Sequence, residues 1–386
     1  MKAIELFAGA GGLGIGISKA GFEPIQIVEW DRWCCDTINE NRAKGVAPVA
    51  HWPEPHHGDV RPVDFRVFEG KVDLVSGGPP CQPFSLGGKH RAFDDKRDMW
   101  PEAVRVVRET RPKAFIFENV KGLTRATFAT YLSYINLQLH HPAIVRRLDE
   151  DWREHFGRLQ QHHTARDEME PEYQVLWKVL NAADFGVPQR RERVVFVGFR
   201  SDLGIRWEFP EGEHSLDALL WDLCRSNDYW LSYDVPGSRR QIDARLERRA
   251  WTLKERPESK RWRTVRDAIS DLPNPTNNND TAVLNHRFQP GARSYPGHTG
   301  SPLDMPAKTL KAGVHGVPGG ENMLLNPDGS IRYFTVRESA RLQAFPDQYE
   351  LHGSWTEAMR QLGNAVPVEL ARVIAKDVAT HLRKAA

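Results

Sequence analysis

The chain has 386 residues, of which 40% are hydrophobic and 27% are charged, and its formal net charge is +2. This length exceeds what one hydrophobic core usually fills, so two domains are expected in a soluble globular protein. No apolar run approaches membrane-spanning length, no signal peptide is recognisable, and four cysteines without paired Cys-x-x-Cys spacing indicate neither a disulfide framework nor a zinc site. We therefore expect a cytoplasmic protein that makes no membrane contact.

A strand, a glycine-rich loop and a helix open the chain, at residues 3–7, 8–16 and up to about 20. Because glycine has no Cβ, its backbone can approach a ligand closely, and nucleotide-binding units begin in this way. The next strand, 24–28, ends at Glu29, where a carboxylate can accept hydrogen bonds from ribose hydroxyls. The pattern predicts half of a nucleotide-binding unit.

A short strand at 71–75 leads into the loop 76–85, which carries Cys81. Two glycines and two prolines end the strand and stiffen the turn, and open α/β sheets bind ligands at such carboxyl ends. A lone cysteine is often a small buried hydrophobic residue, whereas this turn favours a presented, reactive thiol. From this stretch alone both interpretations stay open.

Strands continue to alternate with helices after this loop. This rhythm predicts a doubly wound, mostly parallel α/β sheet, in which Cys81 and Glu118 face one crevice. The predicted elements are a helix at 100–109 and strands at 113–117, 174–180 and 193–198.

An insertion at about 124–172 interrupts this alternation. Apolar residues at helical spacing predict an amphipathic helix from 142 to about 163, and its apolar face is assigned to packing. The pairs His140–His141 and His162–His163 are interpreted as solvated helix residues and not as metal ligands. No function of the insertion follows from the sequence.

The composition changes after Arg200, where aromatic residues, Pro, Asn and Arg increase and the regular alternation ends. Residues 201–334 are predicted to form a loop-rich second domain, with turn-dense loops at 274–280 and 313–320. Residues 237–266 contain eleven Lys/Arg against four Asp/Glu. Such a run is typical of a solvated charged helix and also fits a patch that contacts phosphates.

The sequence becomes regular again after residue 334. Thr335 and Glu338 form a capping box at the start of a helix that Pro346 ends, and a last amphipathic helix follows Pro367. We therefore expect residues 1–200 and 335–386 to form one catalytic and cofactor-binding domain around the second domain.

Six stretches of the chain, taken in order, resemble the DNA (cytosine-5) methyltransferase family. Each could occur by chance, whereas six in the family's order are specific. The resemblance implies a Rossmann-like fold that depends on S-adenosyl-L-methionine, with 201–334 as a target-recognition domain, and it favours a reactive thiol at Cys81. The stretches are Glu-Leu-Phe-Ala-Gly-Ala-Gly-Gly at 5–12, Pro-Pro-Cys-Gln-Pro-Phe-Ser at 79–85, Glu-Asn-Val at 118–120, Gln-Arg-Arg-Glu-Arg at 189–193, Arg-Glu-Ser-Ala-Arg-Leu-Gln-Ala-Phe-Pro at 337–346 and Gly-Asn-Ala-Val-Pro at 363–367.

The resemblance also implies the chemistry. Cys81 would attack carbon 6 of a cytosine, carbon 5 would take the methyl group, and the cysteine would then leave. Glu118 would bond ring N3 and Arg193 the exocyclic O2, with assistance from Arg191. Because stacking hides the ring, the base must flip out of the duplex, and residues 84–98 resemble the family's closing loop.

For the cofactor, the resemblance implies a pocket between the glycine loop and the strand ends, and it implies no metal. Glu29 would bind the ribose, Trp30 would stack on adenine, Asp59 would contact its amino group, and Asn364 would close the pocket. Trp100 stands where a smaller apolar residue is expected near this pocket. The implied set is Phe7, Gly9, Ala10, Gly11, Gly12, Leu13, Glu29, Trp30, Asp59, Val60, Pro79, Asn364 and Val366.

The implied partner is double-stranded DNA, bound by a monomer, and the basic run at 237–266 would then contact phosphates. The second domain would read the major groove. Whether a restriction enzyme or other defence protein accompanies the enzyme does not follow from the sequence. The sequence does not give the target site or the residues that read it.

Three alternatives were weighed against this assignment. A dinucleotide oxidoreductase would explain the glycine loop and Glu29 but would leave Cys81, Glu118 and Arg193 without a role. A non-catalytic DNA-binding protein would need a degraded nucleophile or acid, and both are intact. Methylation of an RNA cytosine is the nearest alternative, although the large variable domain favours duplex DNA.

Overall fold

The structure is a computed structural model that describes residues 1–80, 98–165, 173–275, 282–296, 299–312 and 322–385. Cys81, nearly all of the predicted closing loop and the predicted loop at 313–320 lie outside the described residues.

A seven-stranded sheet forms the centre of the fold. Its strands are β1 (Lys2–Leu6), β2 (Glu23–Glu29), β3 (His56–His57), β4 (Leu74–Gly77), β5 (Ala114–Val120), β6 (Tyr173–Asn181) and β7 (Glu192–Arg200). They lie in the order β3-β2-β1-β4-β5-β7-β6, and β7 alone runs antiparallel to its neighbours. The prediction of a doubly wound, mostly parallel sheet is confirmed. Because the strand order reverses at β1, a crevice opens at the carboxyl ends of β1 and β4.

Helices cover both faces of this sheet and build much of the second domain. Those in the described residues are α1 (Gly12–Lys19), α2 (Arg32–Ala43), α3 (Trp100–Thr110), α4 (Ala129–His140), α5 (Trp152–Ala165), α6 (Leu216–Cys224), α7 (Asp228–Ser232), α8 (Ala244–Thr252), α9 (Val265–Ile269), α10 (Val336–Leu342), α11 (Trp355–Asn364) and α12 (Val368–Lys384). Within the described ranges, no helix combines the length and the apolar character that a membrane span requires.

The last helix of the chain packs on the first. The predicted apolar face of α12 is confirmed, because Leu370, Ile374 and Val378 are buried in a cluster that also contains Ile17 of α1. The two helices approach so closely that a Cβ placed on Gly16 would lie 2.4 Å from the Cβ of Ala371. The start and the end of the chain thus share one apolar layer.

The insertion folds differently from its prediction. The helix expected from 142 begins only at Trp152, because Asp151 accepts backbone hydrogen bonds from Arg153 and Glu154 and so caps α5 there. A separate helix, α4, precedes it and ends at His140, shortly before Pro142, which cannot donate a helical hydrogen bond.

The two histidine pairs meet between α4 and α5. His141 Nε2 lies 2.9 Å from His163 Nδ1, and only 4% of His141 is exposed, so the prediction of solvated histidines was wrong for this residue. Burial lowers the pKa of both His140 and His141 to about 4. No group of three or more potential metal ligands occurs in the described residues.

Residues 201–334 are more helical than predicted in their first half. Helices α6 and α7 bury Leu219, Leu223, Tyr229 and Trp230 in a small core of their own. Short strands complete the domain: β8 (His214–Ser215) pairs with β9 (Lys260–Arg261), and β10 (Ser301–Pro302), β11 (Met323–Leu325) and β12 (Ile331–Tyr333) form a three-stranded sheet. The capping box predicted at Thr335 is confirmed at the start of α10.

Candidate active site

The glycine loop after β1 has an unusual backbone. Phe7, Gly9 and Gly11 have φ angles of 54°, 55° and 81°, in the left-handed region that non-glycine residues such as Phe7 rarely adopt. A Cβ on Gly9 would meet open space, whereas a Cβ on Gly12 would lie 2.4 Å from the Val366 carbonyl oxygen. Gly9 is therefore suited to a ligand approaching its backbone, and Gly12 to the close approach of the C-terminal segment.

Glu29 ends β2 and ties this loop in place. Its Oε2 accepts a hydrogen bond from Gly9 N at 2.6 Å, and its Oε1 accepts one from Asp31 N at 2.7 Å. Burial raises the pKa of this carboxyl, which these backbone donors oppose. The neighbouring Trp30 is 70% exposed, which is unusual for an indole and suits a stacking surface.

The other predicted cofactor residues lie near the same edge or beneath it. Gly58 N donates to Glu29 O at 2.9 Å, which brings Asp59 next to the end of β2. The Asp59 carboxylate accepts from Arg61 N and pairs with the Arg61 guanidinium. Asn364 is exposed at the end of α11. The remaining members, Ala10, Leu13, Val60, Pro79 and Val366, are buried.

These residues fit a nucleoside cofactor. An exposed indole can stack on an adenine ring, and a carboxylate fixed at a strand end can bind a ribose. An open glycine backbone can contact a small zwitterion. Trp100, by contrast, is fully buried edge-on against Phe117 and Phe196, so its ring belongs to the core.

Glu118 and Arg193 form a buried ion pair at the end of β5. Arg193 Nε lies 2.7 Å from Glu118 Oε1, and the two side chains are only 11% and 10% exposed. The antiparallel register of β5 and β7 produces this contact, because Val120 pairs with Arg193. Burial raises the pKa of Glu118, and the positive charge of Arg193 opposes that rise.

The same strand end contacts the residues that precede Cys81. A Cβ on Gly78 would lie 3.4 Å from Glu118 Oε2, and Asn119 Nδ2 donates to the Pro79 carbonyl oxygen at 2.9 Å. The Glu118 carboxyl therefore lies beside the backbone three residues before Cys81. Cys81 itself is outside the described residues.

Arg191 has a different environment from Arg193. It is fully buried, and its guanidinium donates to three backbone carbonyl oxygens: Leu310 at 3.0 Å, Gly363 at 2.7 Å and Ala365 at 2.8 Å. In the described part of the chain it therefore links the second domain to the C-terminal segment that carries Asn364.

Sequence analysis assigned no individual role to two residues that support the site. Glu5 is fully buried on β1, accepts a hydrogen bond from Ser76 Oγ at 2.7 Å and has its pKa raised by burial to about 8. The sequence signal that could have identified Glu5 is a carboxylate within an otherwise apolar strand. Tyr349 donates from its hydroxyl to Ala10 O at 2.8 Å, a contact across 339 positions that no local pattern indicates.

Comparison with known proteins finds similarity over nearly the whole chain. The family model for C-5 cytosine-specific DNA methylase matches residues 1–141 and 157–380, and the unmatched stretch lies within the predicted insertion. The type II methyltransferase M.PspPI of Psychrobacter sp. (strain TA137) is 33% identical over 99% of this chain and 80% of its own length. The type II methyltransferase M.NgoMIV of Neisseria gonorrhoeae is 29% identical over 99% of this chain and 98% of its own.

A solved structure shares the fold. The S. pombe Dnmt2 methyltransferase superimposes with a TM-score of 0.56 at 17% identity, covering 100% of this chain and 99% of that chain. At this identity the likeness concerns the fold alone, whereas the family model spans nearly the whole sequence. The chain therefore belongs to the C-5 cytosine-specific DNA methylase family, and the two relatives described above are named type II methyltransferases.

Proposed function

We propose that the protein is a sequence-specific DNA (cytosine-5) methyltransferase that flips a cytosine out of double-stranded DNA and methylates its carbon 5. The observation that carries this proposal is the buried ion pair of Glu118 and Arg193 beside the residues that precede Cys81. A carboxyl and a guanidinium at one strand end suit the two polar atoms on one edge of a cytosine ring.

In this mechanism the thiolate of Cys81 adds to carbon 6 of the flipped base. The electron pair displaced from the double bond moves into the ring, where Glu118 stabilises N3 and Arg193 stabilises O2. S-adenosyl-L-methionine supplies the methyl group when it is bound. Loss of the carbon 5 proton and departure of the Cys81 sulfur then restore the aromatic ring and the free thiolate.

We assign cofactor binding to the carboxyl ends of β1 and β2, where the glycine loop and Glu29 lie. Glu29 binds the ribose with the lone pairs that Gly9 and Asp31 leave free, and the exposed Trp30 stacks on the adenine. Asp59 contacts the adenine amino group. The rest of the predicted set, Phe7, Ala10, Gly11, Gly12, Leu13, Val60, Pro79, Asn364 and Val366, shapes the walls of this pocket.

Phosphate contacts are assigned to part of the basic run at 237–266, in the target-recognition domain proposed for 201–334. Five of its eleven cations pair with carboxylates: Arg249, Arg256, Lys260, Arg261 and Arg266. Five others are exposed and form no ion pair with any described residue: Arg239, Arg245, Arg248, Lys254 and Arg263. A cation without an ion pair breaks no contact with a carboxylate when it binds a phosphate. The second group is therefore the better candidate for phosphate contacts.

The wider setting follows from the same assignment. The enzyme acts as a monomer on DNA in the cytoplasm, where it protects host DNA from a restriction enzyme or related defence protein. Its type II methyltransferase relatives favour this setting.

Covalent trapping tests the mechanism. Methylation-sensitive sequencing of DNA from an expressing host identifies the target, and a duplex carrying 5-fluorocytosine at that position should form a denaturant-stable adduct in the presence of S-adenosyl-L-methionine. Fluorine at carbon 5 cannot leave as a proton, so the Cys81 bond persists. Trapping by Cys81→Ser would overturn the mechanism, and an adduct formed only with the matching 5-fluorocytosine RNA would reassign the substrate.

A further inference from the structure

The buried guanidinium of Arg191 is the feature that the chemistry above leaves without a direct role. A buried cation is costly unless hydrogen bonds compensate it, and here three carbonyl oxygens do so. Two of them, Gly363 O and Ala365 O, flank Asn364. The third, Leu310 O, belongs to the second domain.

The two segments that Arg191 joins are also in direct backbone contact. A Cβ on Gly363 would lie 2.3 Å from Ala312 N and 2.5 Å from Lys311 C, so no side chain fits between them. Leu310 N donates to Gln189 Oε1 at 3.0 Å, two residues before Arg191 in the chain. Residues 309–312 are therefore held on one side by the segment that carries the two arginines and on the other by Gly363.

The C-terminal segment continues this contact to the glycine loop. The Val366 carbonyl oxygen occupies the space where Gly12 would have a Cβ, at 2.4 Å. Arg191 is also two residues from Arg193, whose guanidinium pairs with Glu118. Arg191 thus contacts Leu310 of the second domain and the segment at the edge of the proposed cofactor pocket, and it lies two residues before Arg193 of the ion pair.

We propose that Arg191 is a positioning residue that couples occupancy of the cofactor pocket to the order of residues 309–312 in the second domain. This inference rests on the proposed cofactor site. A ligand held by Asn364 and Val366 restrains the carbonyl oxygens on either side of Asn364, and Arg191 passes that restraint to Leu310. By linkage, an ordered second domain also favours a bound cofactor.

Hydrogen exchange tests the coupling without knowledge of the target site. Amide exchange in a peptide covering 301–312 is followed by mass spectrometry with and without saturating S-adenosylhomocysteine, whose binding is measured separately by calorimetry. In the wild-type protein we expect the cofactor product to slow exchange of the Leu310 and Lys311 amides by about threefold or more. In Arg191→Met this cofactor-dependent ratio should fall to about one, and Arg191→Lys should retain part of it.

Arg337 offers a matched control. It is also fully buried and donates to three backbone carbonyl oxygens, those of Leu284, Pro346 and Tyr349, none of which lies in the 363–366 segment. Arg337→Met loses as many hydrogen bonds to carbonyl oxygens as Arg191→Met but should keep the wild-type ratio. If the Arg191 variants do not fold, Gly363→Ala replaces them, because the added Cβ forces Gly363 away from residues 311–312. In that variant the cofactor-dependent exchange ratio should fall to about one.

The outcomes separate the two proposals. Failure of the wild-type protein to bind S-adenosylhomocysteine would overturn the proposed cofactor site. Binding without slower exchange at 301–312, or an Arg191→Met protein that binds and keeps the full ratio, would overturn the coupling.

Discussion

Substitution of Gly16 by alanine tests the contact between α1 and α12 directly. In an exposed helix this change stabilises by about 1 kcal/mol, because alanine has the higher helix propensity. Here the new Cβ would lie 2.4 Å from Ala371 Cβ, 2.7 Å from Val368 O and 2.8 Å from Arg372 N. Two of these atoms are backbone and cannot rotate away, so overpacking should cost about 3 kcal/mol. The net destabilisation is then about 2 kcal/mol.

Gly157 is the matched control, since it lies within α5 and a Cβ there would meet nothing within 4 Å. Urea unfolding, followed by circular dichroism, should move to lower concentration for Gly16→Ala and to higher concentration for Gly157→Ala. With a slope of about 3 kcal/mol/M, the first shift is about 0.7 M. A Gly16→Ala protein as stable as the wild type would show that α1 and α12 are not packed as closely as described.

Three further predictions concern acid stability, catalysis and DNA binding. Burial lowers the pKa of His140 and His141 to about 4, whereas a histidine in the unfolded chain has a pKa of about 6.5. Below pH 6.5 the unfolded chain therefore binds more protons than the folded protein, and the free energy of unfolding should fall by about 1–3 kcal/mol between pH 6.5 and 4. A His140→Gln/His141→Gln protein with an unchanged urea pH profile would contradict this. Glu118→Gln should slow single-turnover methyl transfer by about 10²- to 10⁴-fold while S-adenosylhomocysteine binding persists, and a smaller loss would argue against its role at N3. Arg248→Ala should reduce the slope of log DNA affinity against log salt concentration by about 1. Arg249→Ala is the control and should reduce this slope less, because the Arg249 guanidinium pairs with Asp217. Equal slopes for the two variants would exclude Arg248 as a phosphate contact.

The sheet and the positions of its strand ends could be predicted from the sequence because they depend on local periodicity. Each predicted strand of the central sheet is present, and Glu29 and Glu118 lie at or near the strand ends where the pattern put them. The two-residue strand β3 was not predicted. Strand-end residues face the crevice because the carboxyl ends of parallel strands meet at one edge of the sheet. Their placement can therefore be predicted without knowing contacts between distant parts of the chain.

The remaining features depend on contacts between distant parts of the chain. Arg191 lies in a recognisable motif, yet its carbonyl partners are 119 to 174 positions away, and no spacing rule relates them. The sequence does not show that the two histidine pairs meet, because His141 and His163 are 22 positions apart, and the packing of α4 on α5 buries His141. The helical half of the second domain was missed because its apolar residues form a small separate core among polar stretches.

The pairing of the first and last helices also bears on how the protein is made. At about 5–20 residues per second, a ribosome needs roughly 20–70 seconds between completing α1 and completing α12. During that interval the apolar side of α1, including Ile17, has no Leu370 or Ile374 to cover it. This apolar side of α1 therefore lacks the cover of α12 until α12 has been synthesised. A chain that ends early should be a client of chaperones and proteases.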